Sequence, residues 1–415
     1  MKTSKTKAGI PALKFRMDGD GRKRDDVADK LAPEAVRERI RTLRQGVLTV
    51  KAAPGAPVTV EQTRHEFPFG TAVPDELAEK DPDAMSARDR KNYLKILGEN
   101  FNYAVHENAL KWYDCEIEEG QVDYYTADRI WEFCHELDIP MRGHSIFWEK
   151  DKHVMAWLKK LDNDRLRMAV KRRALGVTGH FKGRIHEFDL NNEMVNGEFF
   201  RRRLGWGIYS EMAWMAKAGN PDARLFLNDF GILCEGGFNL ESYSIQIESF
   251  LANGIPVDGI GCQGHAGTNL KAPMSASHVQ MTLDALSQYK LPIKITECLF
   301  EAEDPAEQAR EMYEIFPLYF AHPSVEGILI WGFWGGAHWR PWTALWRKDW
   351  SITPQGEAYR DLVFNRWWTK ASGKADQAGF FTAQAFFGDY LVTVNGEKKK
   401  VSLEKKKKNL EVVFA

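Results

Sequence analysis

The stretch GRIHEFDLNNE, residues 183–193, decides the fold by the way it ends. Ile185, Phe188 and Leu190 give it the apolar character of a buried strand, yet it stops on Asn191, Asn192 and Glu193. Buried amides and carboxylates cost free energy unless they are paired or put to use. Seven other short apolar runs keep the same rhythm. They are FPFGTAV (67–73), FNYAVHENA (101–109), IPMRGHSIFW (139–148), ARLFLND (223–229), VDGIGCQGH (257–265), LPIKITE (291–297) and VEGILIWGFW (325–334). Each has strand length, and most are rich in β-branched or aromatic residues. Helical patterns lie between them, as in DYYTADRIWEFCHELD (123–138), where Ile130, Phe133, Cys134 and Leu137 form one apolar stripe. LESYSIQIESFLANG (240–254), PAEQAREMYEIF (305–316) and QGEAYRDLVFNRWW (355–368) continue the series. Eight strands alternating with eight helices over about 300 residues is the count of an α/β protein of the (β/α)8, or TIM, barrel type. A doubly wound open sheet would carry a glycine-rich phosphate loop after an early strand, and GTAVPDE (70–76) is not one.

The flanks divide the chain further. Residues 1–46 read as an N-terminal arm followed by a helix, LAPEAVRERIRTLRQG (31–46). Residues 47–66 read as a β-hairpin packed on the barrel, turning at Pro54-Gly55. The barrel then occupies 67–370. Residues 371–415 read as a small accessory β module, since 378–415 alternate apolar and polar positions with an Asn395-Gly396 hairpin signal. Its lysine runs, 398–400 and 405–408, suit soluble edge strands better than a polyanion-binding patch.

Composition narrows the function. A net charge of −1 over 415 residues gives no electrostatic case for nucleic acid or an anionic membrane. No run approaches the ~18 apolar residues that a membrane span requires. The N-terminal MKTSKTKAGIPALKFRMDGDGRKRDD has no apolar segment of the signal-peptide kind, and no compartment follows from it. Five cysteines with no C-x-x-C pair argue against a disulfide framework or a zinc site, and predict buried free thiols. Aromatic content is the unusual feature. Of fourteen tryptophans, Trp331, Trp334, Trp339, Trp342, Trp346 and Trp350 fall within twenty residues, and such flat apolar rings suit stacking on sugars.

In a barrel of this kind the reacting groups sit where strands end and βα loops begin. Strand two ends in His106-Glu107-Asn108, with Lys111 and Trp112 close behind; strand three delivers His144 and Trp148. Strand four delivers Asp189, Asn192 and Glu193, and strand five Asn228 and Asp229. Strand six ends in Gln263-Gly264-His265, strand seven in Thr296-Glu297, and strand eight runs into Trp331, Trp334 and Trp339. A ring of polar groups at one barrel face favours a site over isolated core hydrogen bonds. Glu193 and Glu297, on opposite sides of the mouth, suit glycoside hydrolysis, in which one carboxyl protonates the leaving oxygen and the other attacks or activates water. A metal-dependent hydrolase using His106, His144 and His265 is the competitor, but there is no H-x-H on strand one and no H-E-x-x-H anywhere. Asn228 and Asp229 fit a loop or supporting role as well as a substrate contact. Cys262 and Cys298 alternate away from the site and predict packing. Trp131, Trp157 and Trp214 read as core, and His135, His153 and His180 as surface or packing residues.

At these motifs the chain resembles the family 10 glycoside hydrolases, chiefly endo-β-1,4-xylanases. ENALKW (107–112), RGHSIFW (142–148), FDLNNEM (188–194), GIGCQGH (259–265), ITE (295–297) and WGFWGGAHWRPW (331–342) carry the resemblance over roughly residues 47–369. FDLNNEMVNGEFFRRRLG and VTVEQTRHEFPFG are similar to the plant-like branch. The resemblance implies a retaining endo-hydrolase of xylan and xylo-oligosaccharides, needing no metal or cofactor and working as a monomer. It implies Glu193 as acid/base, Glu297 as nucleophile, Asn192 as the amide on the substrate 2-hydroxyl, and His265 bonded to the nucleophile with Asp189 behind it. Glu107, Asn108, Lys111, His144, Trp148 and Gln263 match sugar-binding positions, and Trp331 and Trp339 the aromatic floor and lid. Members of that family are usually secreted. The sequence departs from the usual pattern at Phe188, at Glu149-Lys150 after Trp148, and at Cys298-Leu299 after Glu297.

Overall fold

Alternating patterns make half-buried strands and continuous apolar runs make fully buried ones, and both kinds occur in this chain. The computed structural model describes residues 27–81, 83–234, 239–266 and 274–414, so most of the arm read ahead of the helix in residues 1–46 lies outside the described residues. After helix α1 (Pro33–Arg44) come β1 (Gln45–Lys51) and β2 (Pro57–His65), in which alternate residues are buried. The barrel strands follow: β3 (Phe69–Val73), β4 (Tyr103–His106), β5 (Met141–Arg142), β6 (Phe147–Trp148), β7 (Glu187–Asn192) and β8 (Arg224–Asp229). They continue as β9 (Gly259–Cys262), β10 (His265–Ala266), β11 (Ile293–Phe300) and β12 (Val325–Ile330). Every residue of β3, β7 and β11 is buried, as strands covered on both faces must be.

The parallel strands run in the order β5-β4-β3-β12-β11-β9-β8-β7-β6. The stretch read as one strand over 139–148 is two short pieces, β5 and β6. Gly143 pairs with Phe188 and Phe147 with Asn191, so the third position closes the ring against β7. The result is a (β/α)8 barrel. Its outer helices include α2 (Ala87–Asn100), α3 (Tyr125–Glu136), α4 (Asn163–His180), α5 (Ile208–Gly219), α6 (Leu240–Ala252), α7 (Ala276–Ser287), α8 (Pro305–Phe320) and α9 (Pro354–Asp361). On α3, Ile130 and Cys134 are buried, as the stripe requires. Trp131 and Trp157 pack against the core, but Trp214 is 56% exposed on α5 and is not a core residue. All five cysteines are buried and free.

The barrel interior holds charge as well as hydrocarbon. Arg142, fully buried, donates from Nε to Glu187 at 2.7 Å and from Nη1 to Asp189 at 3.0 Å. Lys294 Nζ reaches the same Glu187 at 2.7 Å. These groups satisfy one another, which is the condition for charge to persist in a core.

The two flanks form one body rather than two. After the barrel come β13 (Lys370–Lys374), β14 (Phe380–Phe386), β15 (Gly388–Val394), β16 (Glu397–Leu403) and β17 (Asn409–Val413). One sheet runs β14-β1-β17 and the other β13-β2-β15-β16. The stretch read as a hairpin over 47–66 is not one: β1 and β2 do not pair with each other, and each joins a different sheet of the module read over 371–415, because their partners come from after the barrel. Leu48, Val50, Val58 and Val60 share its core with Tyr390, Val392, Leu403 and Val412. Gly46 permits the closure: a Cβ there would stand 2.2 Å from the Lys408 carbonyl oxygen. Lys398–Lys400 lie on β16, an edge strand, where charge deters further pairing. The module sits at the N-terminal ends of the barrel strands. Arg44 ties it there, donating to the carbonyls of Phe320, His322 and Val325 at 2.8–3.0 Å.

Candidate active site

The opposite end of the barrel carries a cleft of about 390 Å³. Its lining draws on Glu107, Asn108 and Lys111 after β4, His144 and Trp148 from the third position, and Asn192 and Glu193 from β7. Gln263, His265, Glu297, Trp331 and Trp339 complete the wall. Of the residues expected at the site, only Asp189 is not on this surface. Among the described residues no group of three or more His, Cys, Asp or Glu is placed to hold a metal ion.

Local backbone sets the key side chains. Strand β7 ends at Asn192, and Glu193 turns into the left-handed region (φ 54°) while its N–H donates to the Asn228 carbonyl at 2.8 Å. A non-glycine residue held there costs about 1 kcal/mol and is sustained by its surroundings. Gly264 (φ 77°) turns the chain between β9 and β10, and puts Gln263 and His265 on the same cleft.

Glu297 is the more tightly held carboxylate. Asn228 Nδ2 donates to its Oε1 at 2.8 Å, and His265 Nε2 lies 3.1 Å from Oε2. Burial alone would raise this carboxyl, but the His265 hydrogen bond and the charges of His144, His265 and Lys111 outweigh it and hold it down at about 2. Glu297 is therefore an anion throughout the neutral range. Glu193 is linked to it through amides. Gln263 Nε2 donates to Glu193 Oε1 at 3.2 Å and to Asn192 Oδ1 at 3.3 Å, and Asn228 Nδ2 reaches the same Asn192 oxygen at 3.0 Å. Glu193 also forms an ion pair with Lys150.

The rest of the cleft suits a flat, hydroxyl-bearing ligand. Lys111 Nζ donates to Asn108 Oδ1 at 2.8 Å and lies 4.8 Å from the Trp148 ring centroid and 5.9 Å from that of Trp331. Trp331 meets the His144 ring edge-on at 5.1 Å. Trp339, 46% exposed, stands edge-on to His265 at 5.8 Å. Burial pushes Glu107 up to about 8, with the Asp75, Glu76 and Glu297 charges adding and only Lys111 opposing. It therefore enters the neutral range protonated and able to donate.

One expected pairing fails. Asp189 does not stand behind His265: it accepts from Arg142 and from His144 Nδ1, the latter at 2.8 Å. The reason is register, since β7 runs beside the third barrel position and Asp189 faces Arg142 and His144 across that seam. Asp189 thus fixes the His144 ring and leaves its Nε2 for a ligand, while His265 Nδ1 has no partner among the described residues. His153, read as a surface or packing residue, lines the cleft and stacks on Trp148 at 3.5 Å. Asn228 is a supporting residue, bonded to Glu297, Asn192 and Thr296 (Thr296 Oγ1 to Asn228 Oδ1, 2.6 Å). Tyr113, on the short helix Trp112–Cys115, and Lys150 and Phe230, from loops, also line the cleft; none of them ends a barrel strand.

The model of Glycosyl hydrolase family 10 matches residues 61–362. Endo-1,4-beta-xylanase 1 of Arabidopsis thaliana is 34% identical over 342 residues, which are 82% of this chain and 34% of that protein. An anti-sigma-I factor of Acetivibrio thermocellus is 35% identical over 366 residues, 86% of this chain and 46% of that protein. The chain thus spans between a third and a half of the length of these relatives. Among solved structures, xylanase 10B from Thermotoga petrophila RKU-1, in complex with xylobiose, superposes with a TM-score of 0.63 at 23% identity, covering 72% of this chain and 94% of that one.

Proposed function

We propose that this chain, which belongs to glycosyl hydrolase family 10, is an endo-acting, retaining hydrolase of the β-1,4-xylosidic bonds of xylan. The observation that carries the reading is the treatment of two carboxyls in one cleft. Glu297 is kept ionised and aimed by His265 and Asn228, and Glu193 stands across the same cleft, reached by the Gln263 amide and paired with Lys150.

In this reading Glu297 attacks the anomeric carbon as Glu193 gives its proton to the departing oxygen. Water then opens the glycosyl ester, with the Glu193 carboxylate taking the proton. Asn192 and Gln263 supply amides to sugar hydroxyls. Lys111, Trp331 and Trp339 crowd the sugar where glucose would carry a hydroxymethyl group and xylose carries none. The relatives named as xylanases support the same polymer.

A second reading, a xylan-binding module without turnover, has one observation in its favour: the anti-sigma-I factor matches 86% of the chain, and its name denotes regulation. Reducing-sugar release from xylan separates the two, and proton NMR of the first products reads the stereochemistry. We expect release, β-anomers first, and a higher kcat/KM on xylo- than on cello-oligosaccharides. Binding without release would favour the second reading; α-anomers first would exclude retention; equal rates on the two sugars would move the assignment to another β-1,4-glycan.

A further inference from the structure

Lys150 plays no part in the chemistry above, yet two contacts place it at the centre of the cleft. Its Nζ is ion-paired with Oε2 of Glu193, and it lies 4.5 Å from the centroid of the Phe230 ring. All three residues line the same cavity, and the lysine side chain is only 19% exposed. An acid that protonates a departing sugar oxygen stands on the leaving-group side of the scissile bond. A cation resting on that acid, and covering an aromatic ring beside it, fills space that the leaving sugar needs.

The charges around Glu193 give Lys150 its weight. Gln263 approaches it as an uncharged amide. Asp229 is pushed up to about 8 by burial, against two backbone N–H bonds and with the Glu193 charge adding, so it carries a proton below that pH. Glu297 is an anion on the other wall, already matched by His265, with Lys111 and His144 further contributors. Lys150 is the cation in direct contact with Glu193 among the described residues.

We infer that Lys150 is a positioning residue that acts through Glu193: it pairs with and orients this side chain between turnovers, and the leaving sugar displaces it from Phe230 as the cleft fills. The inference rests on the reading of Glu193 as acid/base. The contact opposes the first step, in which the Glu193 proton passes to the leaving oxygen as the bond to Glu297 forms. It favours the second, in which the Glu193 carboxylate takes a proton from the water that breaks that bond.

The test is the pH profile of kcat/KM on an unactivated xylo-oligosaccharide for the wild type, K150M, K150Q and K150R. Loss of the cation should move the basic limb up by about one pH unit in K150M and K150Q, while K150R keeps the wild-type limb. A purely structural role would lower rates without moving the limb. An unmoved limb in K150M and K150Q, or an equal shift in K150R, overturns the inference. E193A assayed with azide on an activated aryl xyloside keeps the two readings apart. Without azide rescue the role of Glu193 itself falls; with rescue and an unmoved limb, only that of Lys150 falls.

Discussion

Glu193 and Glu297 are the same amino acid, one just past β7 and the other inside β11, and their neighbours differ. Glu297 receives a histidine and an amide and stays ionised; Glu193 receives a glutamine amide and a lysine. Glu297→Ala is therefore expected to abolish turnover on every substrate, by at least ~10⁴-fold. Glu193→Ala should spare the first step for aryl glycosides whose leaving group needs no proton, and added azide should speed the second. The product should be the β-glycosyl azide, because the anion enters the space left by Glu193; an α-azide would reverse the roles. Both glutamates and Asn192 were legible because each interrupts an apolar run, where a polar residue has to be explained, although β11 continues past Glu297 to Phe300 and does not end there as read. The Asp189 pairing was not legible. It depends on which side of β7 faces which neighbour, and a pattern of alternation carries no such information. His153 was not legible as a site residue for a related reason, since a short turn shows no periodicity that would aim it inward, and Lys150 was marked only as a departure from the family pattern.

Among the elements, the barrel strands could be read from apolar runs because burial on both faces leaves a continuous signal. The break between β5 and β6 left none, since IPMRGHSIFW has the composition of one strand. The β strands of the flanks were equally legible one by one, through alternation and the Asn395-Gly396 turn, whose residues take φ of 50° and 87°. Their partners were not. Alternation says that one face is buried, but not that β1 pairs with β14 and β17, or that β2 pairs with β13 and β15. The pairing changes what a truncation should do. Ending the chain near Ala371 strips β1 and β2 of all four partners and exposes Leu48, Val50, Val58 and Val60. The truncated protein is expected to aggregate or to unfold at least ~10 °C lower, measured by thermal denaturation and light scattering. A soluble truncation with an unchanged midpoint would show that the module contributes nothing to the stability of the barrel.

For the molecule as a whole, buried ionisable groups set the response to pH. Burial raises Glu107 and Asp229 to about 8 and Asp75, with the Asp114 charge adding, to about 7. The folded state keeps protons there that an unfolded chain releases near pH ~4, so stability on their account falls as pH rises from ~4 toward 8. Burial lowers His65, His106 and His338 to about 4. Below pH ~6.5 the unfolded chain binds protons that these rings refuse, so stability on their account falls as pH drops. The two sets nearly cancel in the acid range, and the melting temperature is expected to decline between pH ~6.5 and ~8.5, where the carboxyls dominate. Glu107→Gln should make the alkaline decline shallower. A flat or rising profile in that window would mean that these carboxyls ionise freely in the folded protein.

The pairing of β1 with β17 also orders events in time. In a chain made from its N-terminus, β1 and β2 leave the ribosome before the barrel, and their partners leave after it. The barrel can close on its own contacts as soon as β12 emerges, whereas β1 and β2 wait with open edges for the strands after it, β1 until residues 409–413 arrive. Closing so long a loop is slow, and an unpaired edge is what a chaperone binds or an aggregate recruits. The nascent chain is thus most vulnerable at β1 and β2, and the strands that follow the barrel are the ones that relieve it.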